Sequence, residues 1–279
     1  MIRLKLYNMG ETVYETIVPT VFPDNTTQVW KIEAITKNYR NCTQSEIIWQ
    51  YENEAELMHV AQLSDLLDSY TGIPRPIKLL NVPFLPYGRQ DKPISNSTTF
   101  AQRTFTKLIN SLGMDRVISF DVHGICAINN LHKLSAVPFI EKIFKDEGYD
   151  ILFYPDGGAA ERYYIEDAPS VHAIKERDQR TGKIVDYYLQ NEYKNAKGEL
   201  IEVELKDKKV LICDDLIDMG ATFIEATKLL KEKQVGEIGL YTSHAFFNKG
   251  RDHLIEAGIS KFYYTNSLPR NEETGIKIV

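Results

Sequence analysis

The chain has 279 residues, 43% of them apolar and 26% charged, with 16 glycines and 11 prolines. This is the composition of a globular protein and excludes a disordered chain, a collagen and a disulfide scaffold. Its 33 basic against 39 acidic residues give a net charge of -6, which excludes a broad electrostatic footprint for nucleic acid or an anionic membrane. A phosphate substrate must therefore meet local positive charge or a metal. The three cysteines, Cys42, Cys126 and Cys213, are odd in number and far apart. They form neither a zinc-ligand spacing nor a disulfide framework, and reduced thiols fit a cytosolic protein. The first residues hold no apolar signal core, and no run of about 18 apolar residues occurs. The expectation is a soluble, cytoplasmic protein with neither nucleic acid nor membrane as a partner.

Taken in chain order, strand-like and helix-like segments alternate from about Ile47 onward. That pattern predicts an α/β protein with mostly parallel sheets flanked by helices. A helix is expected over 54–70, with Leu57, Val60, Ala61 and Leu67 on one face, stopped by Gly72 and Pro74. The apolar run Ile77 to Phe84 reads as a buried strand. A polar loop, Leu85 to Ser97, leads to a helix carrying Phe100, Ala101, Phe105, Leu108 and Leu112 at helical spacing and closed by Gly113. A strand follows from Arg116 to Val122.

The pattern then repeats. A helix is expected around Phe139 to Phe144, a strand from Ile151 to Tyr154, and a short helix opened by the turn Asp156-Gly157-Gly158-Ala159. Strands are expected at Val171 to Ile174, Val210 to Cys213 and Ile238 to Thr242, with a helix from Ala221 to Lys233 and a strand-like tail at Ile276 to Val279. Two similar halves meet near residue 135, which sets domains of 1–135 and 136–279, the last residues returning to the first. The charged tract from Lys175 to Lys209 exceeds an ordinary connection and reads either as a closing lid or as a β-ribbon.

The sharpest chemical signal is Val210-Leu211-Ile212-Cys213-Asp214-Asp215-Leu216-Ile217-Asp218-Met219-Gly220-Ala221-Thr222. A buried strand delivers carboxylates to its end, and small residues then let the backbone turn into a helix. Carboxylates accept hydrogen bonds from a vicinal diol such as ribose, while amides at a helix start hold a phosphate. A sugar phosphate is the natural occupant. The blander reading is an acidic loop in which Asp218 merely caps the helix.

This segment resembles the ribose-phosphate loop of type I phosphoribosyltransferases and of ribose-phosphate pyrophosphokinases (PRPP synthetases). Pro86-Tyr87-Gly88-Arg89-Gln90-Asp91-Lys92 followed by Pro93-Ile94-Ser95 is similar to the second family's ATP-binding stretch, which ordinary phosphoribosyltransferases lack. Asp115-Arg116-Val117-Ile118 with Asp121-Val122-His123 resembles its next motif, and Tyr154-Pro155-Asp156-Gly157-Gly158-Ala159 its metal and pyrophosphate turn. Lys175-Glu176-Arg177 resembles the basic pair at the base of its catalytic loop. Phe22-Pro23-Asp24 is similar to a segment that reaches a neighbouring subunit's adenine pocket, and Thr265-Asn266-Ser267-Leu268-Pro269 to its late strand end.

The resemblance implies two phosphoribosyltransferase-like domains and a homo-oligomer, a dimer or hexamer. It implies a transfer of the β,γ-diphosphate of ATP to the anomeric hydroxyl of ribose 5-phosphate, giving PRPP and AMP. Lys175 and Arg177 are then the catalytic cations; Phe22, Asp24, Arg89, Gln90 and Asp91 bind ATP; Asp214, Asp215, Asp218, Met219, Gly220, Ala221 and Thr222 bind the ribose phosphate; and His123 and Asp156 face Mg2+. Read without it, Arg89 is a surface ion pair, His123 structural, and Lys175 with Arg177 a solvated face.

The phosphate turn of that family usually reads Asp-Thr-Gly-Gly-Thr, so Met219 and Ala221 replace a hydroxyl donor and a glycine. These changes suit an acceptor whose 5-phosphate is esterified, such as ADP-ribose. In addition, Asn25 and Thr26 follow Asp24 where the family commonly has Gly-Glu, and the stretch between Gly182 and Lys208 is longer than the family's loop. The acidic loop also fits a phosphoribosyltransferase that consumes the activated sugar, and the nucleotide-binding stretch fits a catalytically silent regulatory homologue.

Overall fold

The computed structural model describes residues 1–8, 10–30, 32–38, 42–69, 75–93, 95, 97–177, 184–190, 192–194 and 199–278. The expected helix stop at Gly72 and Pro74, Ile94, the segments 178–183 and 195–198, and Val279 lie outside the described residues. The chain divides into two units, Met1–Leu134 with Ser267–Glu272, and Ser135–Asn266 with Glu273–Lys277.

The first unit holds β1 (Ile2–Asn8), β2 (Glu11–Ile17), β3 (Thr20–Val21), β4 (Thr27–Gln28), α1 (Glu33–Asn38), β5 (Cys42–Trp49), α2 (Ala55–Ser69), β6 (Ile77–Asn81), α3 (Ala101–Ser111), β7 (Arg116–Phe120) and β8 (Leu131–Leu134). Its main sheet runs β2-β1-β5-β6-β7-β8. β5 through β8 are parallel, while β1 and β2 add an antiparallel hairpin at one edge. Helix α2 buries Val60, Leu63 and Leu67 at spacings of three and four against this sheet's core, which includes Leu4, Ile47, Trp49 and Leu80. Gly113 adopts φ +62 just past α3, the left-handed conformation that stops a helix. Lys78, on β6, is buried, and its ammonium meets Asp68 Oδ2 at 2.5 Å, Ser64 Oγ at 3.0 Å and the Leu112 carbonyl at 3.0 Å. One cation thus ties β6 to α2 and to the end of α3.

The second unit holds α4 (Val137–Asp146), β9 (Ile151–Tyr154), α5 (Gly157–Arg162), β10 (Ser170–Arg177), β11 (Ile184–Gln190), β12 (Glu192–Lys194), β13 (Leu200–Glu202), β14 (Lys209–Ile217), α6 (Ala221–Glu232), β15 (Glu237–Ala245), α7 (Asp252–Ala257) and β16 (Lys261–Tyr264). Its sheet runs β11-β10-β9-β14-β15-β16, parallel except for the β10–β11 pair. β14 sits between two parallel neighbours, which explains why it reads as a continuous apolar run: Val210, Leu211, Ile212 and Cys213 are all fully buried. The fold class expected from the sequence is the one observed.

Three local expectations change. The strand expected over Ile77 to Phe84 ends at Asn81, because a sequence of turns begins at Pro83. The tract after Ile174 is a ribbon in its described parts: β10 continues to Arg177 and pairs antiparallel with β11, and β12 pairs with β13. Among the described residues the tail forms a parallel bridge, Ile276 to Thr265, and no strand. Ile276 N donates to the Tyr264 carbonyl at 2.7 Å and its own carbonyl accepts from Asn266 N at 2.9 Å. Among the described residues no helix is long and apolar enough to cross a membrane, and the three cysteines are free.

Candidate active site

In the second unit, parallel strands deliver side chains to their carboxyl ends, where open α/β sheets place ligands. Asp214 and Asp215 occupy the end of β14, and Asp156 follows β9, its immediate neighbour in register Ile212 to Phe153. Asp156 caps α5: its Oδ1 accepts the Ala159 N–H at 3.0 Å, the role its position before two glycines predicts. Asp215 Oδ2 lies 2.8 Å from Nη1 of Arg162, the last residue of α5. Burial works against the Arg162 charge, yet the Asp215 carboxylate drives its pKa further up.

Asp214 is in the opposite condition. Burial, together with the nearby Asp215 and Asp156 carboxylates, pushes its pKa up to about 8. Tyr187 of β11 stands beside the same group: burial, Asp156 and Asp214 all raise its pKa, and its hydroxyl donates to the Pro155 carbonyl at 3.4 Å. Burial also lowers the pKa of His172 on β10, with Asp156 opposing. The three acids therefore form one cluster, crowded with negative charge.

Beyond β14 the chain turns through Asp218, Met219 and Gly220 into α6. Gly220 adopts φ +82 at the helix start and no side chain caps it. The reading of Asp218 as the cap of this helix is overturned, since its Oδ1 instead accepts from Asn248 Nδ2 at 2.6 Å. The Gly220 carbonyl takes the N–H groups of Phe223 and Ile224, so the amides of Ala221 and Thr222 precede the first intrahelical bonds. Met219 is 59% exposed.

Lys175 and Arg177 lie on β10, with Lys175 opposite Tyr187 and a register shift between Glu176 and Arg177. The backbone here is described; the side chains of residues 175–177 lie outside the described residues.

In the first unit, the loop after β6 packs on the turn after β7. A methyl group built on Gly88 would stand 3.5 Å from His123 Cβ, and one on Gly124 would stand 3.3 Å from Asp91 Oδ2. Gln90 N donates to the Tyr87 carbonyl at 2.9 Å, while the Arg89 and Gln90 side chains are exposed. The structure thus brings the Gly88–Asp91 stretch, on which Arg89 and Gln90 lie, against His123 and Gly124. Phe22 and Asp24 stand apart on the β3–β4 hairpin, where Asp24 Oδ1 accepts from Thr26 N at 3.0 Å and Thr26 Oγ1 at 2.7 Å. Those bonds hold the Asp24 carboxyl below its usual range.

His123 belongs to the first unit and Asp156 to the second. Among the described residues no three His, Cys, Asp or Glu side chains form a group that could hold a metal ion by themselves. Asp156 alone still suits a hard divalent cation that arrives with phosphate oxygens and keeps its waters, since such an ion needs only one or two carboxylates. Sequence reasoning missed Arg162, Tyr187, Asn248 and His253. Arg162 was findable as the one basic residue of the helix opened by Gly157 and Gly158; the others carry no local signal.

Residues 162–263 match the model of the phosphoribosyl transferase domain family. The ribose-phosphate pyrophosphokinase of Pyrococcus abyssi is 27% identical over 207 residues, 71% of this chain and 67% of that protein. That of Sulfurisphaera tokodaii is 27% identical over 263 residues, 90% of this chain and 84% of the relative. The chain is similar to the ribose-phosphate pyrophosphokinases over most of its length. With several of them the match spans less than two thirds of their length, as with the Corynebacterium efficiens protein, 26% identical over 69% of this chain and 60% of its own. The phosphoribosylpyrophosphate synthetase of Mycobacterium smegmatis shares the fold, with a TM-score of 0.72 at 21% identity over 94% of this chain and 86% of that one.

Proposed function

We propose that the chain is a ribose-phosphate diphosphokinase, transferring the β,γ-diphosphate of ATP to the anomeric hydroxyl of ribose 5-phosphate to give PRPP and AMP. The observation that carries the reading is the acidic cluster of Asp156, Asp214 and Asp215 set beside the uncapped start of α6. Carboxylates accept from the ribose diol, and helix-start amides donate to a phosphate. The relatives similar in sequence bear the corresponding name.

In this reading Asp214 and Asp215 hold the ribose hydroxyls, Arg162 fixes Asp215, and the turn from Asp218 to Thr222 holds the 5-phosphate. Arg89, Gln90 and Asp91 hold ATP, with Phe22 and Asp24 contributing from a neighbouring copy in a homo-oligomer. The anomeric oxygen attacks the β-phosphorus in line, and AMP leaves. Lys175 and Arg177 stabilise the charge that grows on the migrating diphosphate. Asp156 in the second unit would serve as a carboxylate ligand to Mg2+, and His123 is the first unit's candidate for the same ion; when bound, the ion would supply Lewis-acid neutralisation of the phosphate oxygens. The three free cysteines support a cytoplasmic setting for this reaction.

The test is AMP release from ATP, with Mg2+ present, by the purified chain. Ribose 5-phosphate should elicit it, Asp214→Asn and Asp215→Asn should raise its KM, and Lys175→Ala or Arg177→Ala should lower kcat by about a hundredfold or more. No AMP with ribose 5-phosphate would sink the proposal. An ADP-ribose arm measures use of an esterified acceptor, and a PRPP-plus-base arm measures phosphoribosyltransferase activity.

A further inference from the structure

The segment that follows β15 touches the phosphate turn at three successive points. Asn248 Nδ2 donates to Asp218 Oδ1 at 2.6 Å. His253 Nε2 lies 2.9 Å from the Met219 carbonyl oxygen. A methyl group built on Gly220 would stand 2.7 Å from Leu254 Cδ2 and 3.2 Å from His253 Nε2, so the turn is pressed onto α7 at its glycine.

A carbonyl only accepts, so the His253 contact places a proton on Nε2. In a trans peptide the C=O and N–H point in opposite directions. Holding the Met219 carbonyl toward α7 therefore turns the Gly220 N–H away from α7. The flipped peptide would put a carbonyl oxygen where an anion is to sit and an N–H against the imidazole. Gly220 is the residue that permits the held orientation, because its φ of +82 is the left-handed conformation and its missing Cβ leaves room for Leu254.

We infer that His253 is a positioning residue for the phosphate turn: it locks the Met219–Gly220 peptide with the N–H available to the substrate's 5-phosphate. The inference rests on the proposed function for the identity of that substrate. His253 is partly exposed, whereas the core contact of α7 is made by the fully buried Leu254. Loss of the imidazole therefore changes the turn more than the fold.

The experiment compares wild type, His253→Leu and His253→Gln in the full chain. Glutamine keeps a donor at the reach of Nε2; leucine removes it. The KM for ribose 5-phosphate should rise about tenfold in the Leu variant, the value of one lost hydrogen bond, and return to within about threefold in the Gln variant. The KM for ATP and the thermal midpoint should hold, and kcat should fall less than KM rises. An unchanged KM for ribose 5-phosphate, a parallel rise for ATP, or a Gln variant no better than Leu overturns the inference. Calorimetric titration of inorganic phosphate separates it from the function itself. If wild type releases no AMP yet binds phosphate more tightly than the Leu variant, the function fails and the inference stands. Equal or absent phosphate binding in all three overturns the inference.

Discussion

The guanidinium of Arg162 and the carboxylate of Asp215 meet at 2.8 Å with both side chains largely withdrawn from solvent, at 24% and 7% exposure. Of two consecutive acids on β14, this one is paired with a cation from α5, while Asp214 is left with the raised pKa. The asymmetry leaves Asp215 beside a cation and Asp214 holding its proton more tightly than an ordinary carboxyl.

Arg162→Met removes that cation from a buried carboxylate. The expected cost is about 2–4 kcal/mol of unfolding free energy, read by urea denaturation. In the double variant with Asp215→Asn most of this loss should vanish, since the amide does not demand a counter-ion. A double variant as unstable as the sum of the singles would contradict the pairing.

Asp214 makes stability depend on pH in the direction opposite to an ordinary paired carboxylate. Its folded pKa lies near 8 and its unfolded pKa near the usual value of about 3.9, so between these the folded chain holds a proton the unfolded chain has lost. This contribution is fully present below the unfolded pKa and is lost as pH rises through the folded pKa. The ligand-free wild type should lose stability relative to Asp214→Asn from about pH 4 to about pH 8. Curves that run parallel over that window would refute the shift.

Tyr87 anchors the loop that carries Arg89 and Gln90. It holds φ +63, a conformation uncommon for a residue with a side chain. Its hydroxyl donates to Glu54, which pushes its pKa up to about 12, and its ring lies 5.1 Å from that of Phe105. Tyr87→Phe keeps the ring contact and loses the hydroxyl bond, so the KM for ATP should rise about threefold to tenfold with that for ribose 5-phosphate unmoved. Equal KM values for ATP in both proteins would show that the hydroxyl does not hold the loop.

Lys78→Met tests the first unit's core. The substitution strips a donor from Ser64 Oγ and the Leu112 carbonyl and a counter-ion from Asp68. A loss of about 1–3 kcal/mol is expected, measured by chemical denaturation; a neutral or stabilising result would mean that methionine packing offsets the lost bonds.

Much of the fold is legible in the sequence because its signals are local. The apolar runs at Val210 to Cys213 and Ile151 to Tyr154 read as buried strands because parallel neighbours cover both faces, and α3 ends at the glycine that stops it. The hairpin of β1 and β2 is not legible: its partners are Trp49 and its neighbours on β5, and nothing within residues 1–17 announces that pairing. The tract after β10 reads equally as a lid or a ribbon for the same reason, since cross-strand pairing is not a property of one segment.

The amino-acid order alone determined where carboxylates fall at strand ends, where glycines open turns, and which known family the motifs resemble, because each depends on residues a few positions apart. Only the tertiary structure decided that Asp218 is held by Asn248 instead of capping α6, that Arg162 neutralises Asp215 and leaves Asp214 charged with difficulty, and that His253 reaches the Met219 carbonyl. Those outcomes depend on hydrogen-bond distances and burial between segments 30 to 53 residues apart. No periodicity or spacing encodes them.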